Sequence, residues 1–81
     1  MKNIDVIKKF IGGEVKGETT NLYIQGDNLI NYSTIIAKRT SNGQFLLNTT
    51  KYSRSTSVIQ NALKFELKGN YIEVLGKELN A

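Results

Sequence analysis

The chain predicts a small α+β domain in which two helices cover one face of an antiparallel sheet of about four to five strands. Its 81 residues fit a single domain spanning positions 1–81. The apolar residues recur with a helical period near the start, with a two-residue period after position 20, and again with a helical period after position 55. Short links between these segments favour neighbours that pack directly on one another. The predicted order is α-β-β-β-β-α-β.

The composition excludes several kinds of functional site. The chain has no cysteine and no histidine, which excludes disulfides, thiol nucleophiles, zinc sites of the Cys/His type and histidine acid–base chemistry. Its acidic residues have neither a metalloprotease spacing nor a paired-carboxylate spacing. Lys51, Tyr52 and Ser53 could supply a nucleophile, but no general base accompanies them. We therefore expect no metal, no cofactor and no enzymatic activity.

The distribution of apolar residues indicates the cellular compartment in which the protein is expected. The first five residues are charged at short intervals and contain no apolar signal-peptide core. No apolar run approaches the roughly 18 residues that a membrane span needs. The absence of disulfides in so small a domain favours a reducing compartment. We expect a cytoplasmic protein with no membrane contact.

Residues Asn3–Ile11 predict a short amphipathic helix, because apolar residues recur there at a spacing of three and four positions. Asn3 is the predicted N-cap. Gly12-Gly13 should end the helix. A helix of about three turns is weak in isolation, so this one should pack against another element.

Three segments with a two-residue period predict strands, at positions 21–25, 29–32 and 34–40. The third is rich in β-branched residues, which support a strand most strongly. Residues 14–19 are polar and irregular, so we expect a loop or a poorly formed edge strand. Residues 26–28 contain glycine and predict the first turn.

Residues 41–43 (SNG) predict a hairpin whose register has two interpretations. A two-residue Asn–Gly loop would mix core and solvent side chains on each face. A three-residue loop pairs Ala37 with Leu47 and Arg39 with Phe45, and it keeps the apolar residues together. Because burial determines register, we predict the three-residue loop. Arg39 would then lie beside the turn and extend outward.

A second helix is predicted at about 56–66. Ser57 and Gln60 fit a capping box at its start. The apolar face of this helix is predicted to contain Val58, Ile59, Ala62 and Leu63. Residues 63–67 alternate strictly and could instead form a strand paired with 71–75, although we favour the helix. Residues 71–75 are the predicted closing strand, and the residues after it should fray.

The positive charge is concentrated in the middle of the chain. The formal net charge is +4, and no acid lies between Asp27 and Glu66. The cations in that interval are Lys38, Arg39, Lys51, Arg54 and Lys64. A surface of one sign attracts anionic partners. The alternative is that these side chains only keep the protein surface hydrated and bind no partner.

Polar chemistry is concentrated in residues 47–61, where a strand end leads into a basic, hydroxyl-rich turn and then a helix. Free N–H groups at a helix start favour phosphate. Lys51 and Arg54 could neutralise phosphates, Ser55 could donate hydrogen bonds, and Tyr52 could stack on a base. The alternative is that the hydroxyls only cap the helix.

The predicted contact surface combines residues of this basic turn with two cations that lie earlier in the chain. The predicted nucleic-acid or anion-binding residues are Lys51, Tyr52, Arg54 and Ser55, with Lys38 and Arg39 added if the fold brings them near. Tyr23 and Tyr32 are interpreted as core or rim aromatics.

Three segments resemble a known group of proteins. They are residues 21–39 (NLxIxGDxLxNYxTxIAxR), 47–53 (LNxTKYS) and 56–63 (TSxxQNxL). Together they are similar to a family of small uncharacterised proteins encoded by phages and mobile elements of low-GC Gram-positive bacteria. The resemblance covers about half of the chain. It implies a phage accessory protein that acts in the cytoplasm of a bacterial host.

Three functional hypotheses follow. The first is a non-enzymatic protein that contacts nucleic acid or a host nucleoprotein through the basic turn. The second is an inhibitor of a host defence system, such as an anti-CRISPR protein, that acts by protein–protein binding. The third is a structural module that forms a homo-oligomer through its short edge strands.

Overall fold

The computed structural model describes residues 2–80, and all five of its strands belong to one sheet in the order β1-β2-β3-β4-β5. The elements are α1 (Asn3–Ile11), β1 (Leu22–Gln25), β2 (Asn28–Asn31), β3 (Thr34–Arg39), β4 (Phe45–Asn48), α2 (Arg54–Leu67), β5 (Ile72–Val74) and α3 (Gly76–Leu79). The predicted α+β class is confirmed, and so is the helical assignment of residues 63–67. Within this part of the chain, no helix has the length and apolar character needed to cross a membrane.

The prediction of an antiparallel sheet is wrong for the last strand. Strands β1 to β4 are antiparallel to their neighbours, but β5 runs parallel to β4. The reason is α2, which continues to Leu67 and carries the chain back along the sheet. Strand β5 therefore starts at the same end of the sheet as β4, and a parallel pair needs such a crossover. The sheet is mixed.

One core lies between the sheet and the two long helices. Its buried residues are Val6, Ile7 and Phe10 from α1, Ile59 and Leu63 from α2, and Leu22, Ile24, Leu29, Ile36, Ala37 and Leu47 from the sheet. Both helices thus pack on one face of the sheet, as predicted. The predicted apolar face of α2 is wrong at Val58, which is exposed, because the buried side of the helix is centred on Ile59 and Leu63.

The first helix has the predicted bounds but a different cap. Its N-cap is Lys2, whose N–H donates to the Asp5 carboxylate at 3.0 Å. The Asn3 side chain instead accepts a hydrogen bond from the Thr19 hydroxyl at 2.7 Å. The predicted cap at Asn3 is therefore wrong, because this amide joins the helix to the segment before β1.

The segment before β1 has little regular structure, as expected. It forms a single bridge between Glu18 and Tyr23. The Ile24 N–H donates to the Gly17 carbonyl at 3.0 Å, and the Thr19 N–H donates to the Leu22 carbonyl at 2.7 Å. These bonds cover part of the outer edge of β1.

The hairpin between β3 and β4 has the predicted three-residue loop. Ala37 pairs with Leu47 and Arg39 pairs with Phe45. Gly43 has a φ of +83°, a conformation that glycine adopts without steric cost. On the other side of β3, a bulge leaves Ile36 without a partner on β2. Ile36 and Ala37 are both buried as a result.

Arg39 points inward, so the expectation that it extends outward is wrong. Its guanidinium donates to the Phe10 and Glu14 carbonyls at 2.8 Å each and also to the Gly26 carbonyl. It lies 4.8 Å from the centre of the Phe10 ring, and its Nε is 3.6 Å from the Asp27 carboxylate. The side chain is only 11% exposed. Arg39 therefore joins α1, the β1–β2 turn and β3.

The C-terminal residues are docked, so the prediction that they fray is wrong for residues 76–80. The Ile35 N–H donates to the Asn80 Oδ1 at 2.8 Å, and the Asn80 Nδ2 donates to the Ile35 carbonyl at 3.2 Å. The Asn80 carboxamide thus pairs with β3 just beyond the point where β4 ends. Ala81, for which fraying was also predicted, lies outside the described residues.

Candidate nucleic-acid interface

Helix α2 begins earlier than predicted. Its N-cap is Ser53, whose Oγ accepts the Thr56 N–H at 3.4 Å. The predicted capping box of Ser57 and Gln60 is wrong, because both residues lie inside the helix. The Thr56 hydroxyl donates to the buried Asn31 Oδ1 at 2.6 Å. This bond joins the first turn of α2 to the end of β2, and it accounts for the earlier start.

Gln60 holds the loop that precedes α2. Its side chain is 7% exposed, and its Nε2 donates to the Asn48 carbonyl at 2.8 Å and to the Thr50 carbonyl at 3.0 Å. One amide from the helix therefore satisfies two carbonyls, one at the end of β4 and one in the loop that follows it. The Gln60 Oε1 accepts no hydrogen bond from any residue in the range 2–80.

Tyr52 is anchored by its hydroxyl. The buried Asn48 Nδ2 donates to the Tyr52 hydroxyl at 3.0 Å and to the Ile35 carbonyl at 3.1 Å. The Asn48 Oδ1 accepts the Thr50 N–H at 2.9 Å. Tyr52 nevertheless remains 39% exposed. Its hydroxyl contributes to the fold, and part of its ring remains accessible to a partner.

Within residues 2–80, the cations of this region have no acidic partners. Lys51, Arg54 and Lys64 are exposed, and the first turn of α2 contains no acid. Among residues 2–80 there are two ion pairs, and neither includes these three side chains. Their charges are therefore available to an anion.

Two of these three cations, both lysines, line one cavity, which we call the Lys51–Lys64 cavity. It has a volume of about 350 Å³ and lies between the loop after β4 and the side of α2. Its lining residues are Thr49, Lys51, Ser57, Gln60, Asn61 and Lys64. No acid is among them. The cavity combines two ammonium groups, a serine hydroxyl and side-chain amides, which are groups that bind phosphate oxygens and base edges.

The structure separates the predicted site residues into two groups. Lys51, Tyr52, Arg54 and Ser55 lie together at or just before the start of α2. Lys38 and Arg39 lie at the far end of β3, because β3 begins at the α2 end of the sheet and runs away from it. Lys38 is exposed there, and Arg39 is engaged with backbone carbonyls.

Lys64 is a functional candidate that was not among the predicted site residues. The signal for it is the helical period, since Ser57, Gln60 and Lys64 are spaced by three and four positions and share one side of α2. The predicted helix begins too late, so Ser57 and Gln60 are interpreted as cap residues. Their position on the same side of the helix as Lys64 is therefore not used.

Among residues 2–80 no group of three His, Cys, Asp or Glu side chains converges to hold a metal ion. Comparisons with protein-family models, with curated proteins and with solved structures find no match. The functional argument therefore depends on the geometry of the residues themselves.

Proposed function

We propose that the chain is a small, non-enzymatic binding protein of the phage accessory type, which contacts a nucleic acid or nucleoprotein in the cytoplasm of a bacterial host. The observation that supports it most is the Lys51–Lys64 cavity, whose lining contains several polar groups, no acid and two cations that form no ion pair with any of the described residues 2–80. Arg54 adds a third cation at the start of α2.

The arrangement suits phosphate contact for three reasons. Lys51, from the loop after β4, and Lys64, from α2, line the same cavity, so both cations face one bound strand. The first turn of α2 has N–H groups without intrahelical acceptors and a positive dipole end. The Ser57 hydroxyl lines the cavity and adds a hydrogen-bond donor that needs no particular base, whereas the Ser55 hydroxyl lies 3.1 Å from the Ser53 hydroxyl at the start of α2.

Binding as a function of salt concentration tests this proposal. We expect a labelled oligonucleotide to bind at low salt, with a log–log salt slope of about one per phosphate contacted. Lys51→Ala and Lys64→Ala should each lower that slope by about one. Lys38→Ala is the matched control, because Lys38 is an exposed lysine at the opposite end of β3.

Two outcomes would contradict the proposal. One is that the wild-type chain binds neither DNA nor RNA at low salt. The other is that Lys38→Ala weakens binding as much as Lys51→Ala does, which would indicate attraction by net charge without a defined surface.

A second function is favoured by a different surface. An apolar groove of about 320 Å³ lies between α1 and α2 and includes Ile4, Val58 and Ala62. Phe65 is highly exposed further along α2. A surface of this kind suits a protein partner, as for an inhibitor of a host defence protein.

Capture from host lysate, with and without nuclease, separates the two functions. A protein that is retained after nuclease treatment, and lost in a Val58→Ser, Phe65→Ser variant, supports the inhibitor. Retention that disappears with nuclease, and that depends on Lys51, supports nucleic-acid binding.

A further inference from the structure

Tyr32 has a backbone conformation that its own side chain disfavours. It begins the two-residue link between β2 and β3, and its φ is +57°. Left-handed conformations of this kind are disfavoured for residues with a Cβ, and glycine or asparagine is the usual choice in short hairpin turns. Folding alone would therefore favour another residue at this position.

The tyrosine side chain does not compensate for this backbone cost within the fold. Tyr32 is 61% exposed, so it is not a core aromatic. Its hydroxyl forms no hydrogen bond with any residue between 2 and 80. Residues held in sparsely populated backbone conformations cluster at active sites, ligand clamps and switch regions.

Tyr32 lies at the same end of the sheet as the start of α2. Strand β3 begins there, and its neighbour β4 ends there. The preceding residue, Asn31, accepts the hydrogen bond from Thr56 in the first turn of α2. The Tyr32 N–H donates to the Asn21 carbonyl at 3.0 Å. Asn21 and Ser55 both line the apolar groove between α1 and α2. An exposed aromatic ring therefore lies at the end of the sheet where α2 begins, the end at which Lys51 precedes the helix and Arg54 opens it.

We propose that Tyr32 stacks on a nucleobase and that the partner is therefore single-stranded nucleic acid. A ring can stack on a base face only where that base is not already stacked in a duplex. Phosphate contact with a duplex would use Lys51, Arg54 and Lys64 and would need no exposed tyrosine. The inference rests on the proposed function, since the cations must hold the strand whose base Tyr32 contacts.

Fluorescence anisotropy with a labelled single strand and its duplex, combined with thermal unfolding, tests the inference. Tyr32→Asn should raise the unfolding temperature, because asparagine tolerates the left-handed conformation. The same variant should weaken single-strand binding about tenfold and leave the salt slope unchanged, because a stacking contact and no phosphate contact is lost. Tyr32→Phe keeps the ring and should bind like the wild-type chain.

The outcomes separate this inference from the function on which it rests. Wild-type affinity in Tyr32→Asn, or equal binding of duplex and single strand by the wild-type chain, would overturn the inference alone, provided that binding still depends on Lys51. Absence of binding to every nucleic acid would overturn both. A more stable Tyr32→Asn variant with selectively weaker single-strand binding would support both.

Discussion

The hydroxyl of Tyr52 occupies the space that a Cβ atom on Gly76 would need. The Gly76 N–H donates to the Thr50 Oγ1 at 2.7 Å, so the start of α3 closes against the loop that carries Tyr52. The position is glycine for reasons of space, since its φ is not in the left-handed region. This contact joins the C-terminal segment to the proposed interface.

Gly76→Ala should destabilise the fold by about 1–3 kcal/mol, because the added methyl group would overlap the Tyr52 hydroxyl. Tyr52→Phe removes the overlapping oxygen, so the same glycine change should cost less in that background. Urea unfolding of the four members of this double-mutant cycle measures the difference. An equal cost of Gly76→Ala in both backgrounds would show that the hydroxyl is not the cause.

Gln60→Leu should destabilise the fold by about 2 kcal/mol, because the Asn48 and Thr50 carbonyls would lose their shared donor. The matched control is Asn61→Leu, an exposed position on the same helix, which should change stability by less than about 0.5 kcal/mol. Chemical denaturation followed by circular dichroism provides both values. Similar costs for the two variants would contradict the role assigned to Gln60.

Asn80→Ala should expose the Ile35 amide to solvent exchange, because both hydrogen bonds between the two residues would be lost. We expect a cost of about 1–2 kcal/mol. Asn80→Asp keeps the acceptor for the Ile35 N–H but loses the donor, so it should retain part of the protection. Hydrogen exchange at Ile35 is the measurement, with Lys77→Ala as an exposed control on α3. Unchanged exchange in Asn80→Ala would refute this pairing.

Arg39→Lys should cost about 2–3 kcal/mol, although the charge is conserved. Lysine cannot match the planar guanidinium that serves the Phe10, Glu14 and Gly26 carbonyls and stacks on the Phe10 ring. Below its unfolding temperature the variant should still bind nucleic acid as the wild-type chain does. Thermal unfolding and anisotropy measure the two properties. Weaker binding by the folded variant would show that Arg39 contributes to nucleic-acid binding.

Local patterns predicted the parts of this fold that depend on neighbouring residues. The bounds of α1 follow from its apolar period and its terminal glycines. The register that pairs Ala37 with Leu47 follows from the three-residue loop and from the separation of core and solvent faces. In both cases the determining residues lie within one element or one hairpin.

The errors concern partners that are distant in sequence. The carbonyls that bind Arg39 belong to α1, the loop after it and the β1–β2 turn, and only the fold brings them together. Ser53 and Ser57 are equally good N-caps by residue type, and the buried Asn31 favours the earlier one through Thr56. The direction of β5 depends on whether residues 63–67 form a helix or a strand. A helix there carries the chain back along the sheet, so β5 runs parallel to β4.

The parallel pairing of β4 with β5 also has a consequence for the order of synthesis. The loop that carries Lys51 is held by the Val74 carbonyl, which accepts the Thr49 N–H at 2.9 Å, and by the contact between Gly76 and Thr50. A nascent chain cannot make these bonds until residues 72–80 have left the ribosome. Helices α1 and α2 and the first four strands do not depend on these bonds and can assemble earlier, so the loop that carries Lys51 should be the last part of the proposed interface to mature.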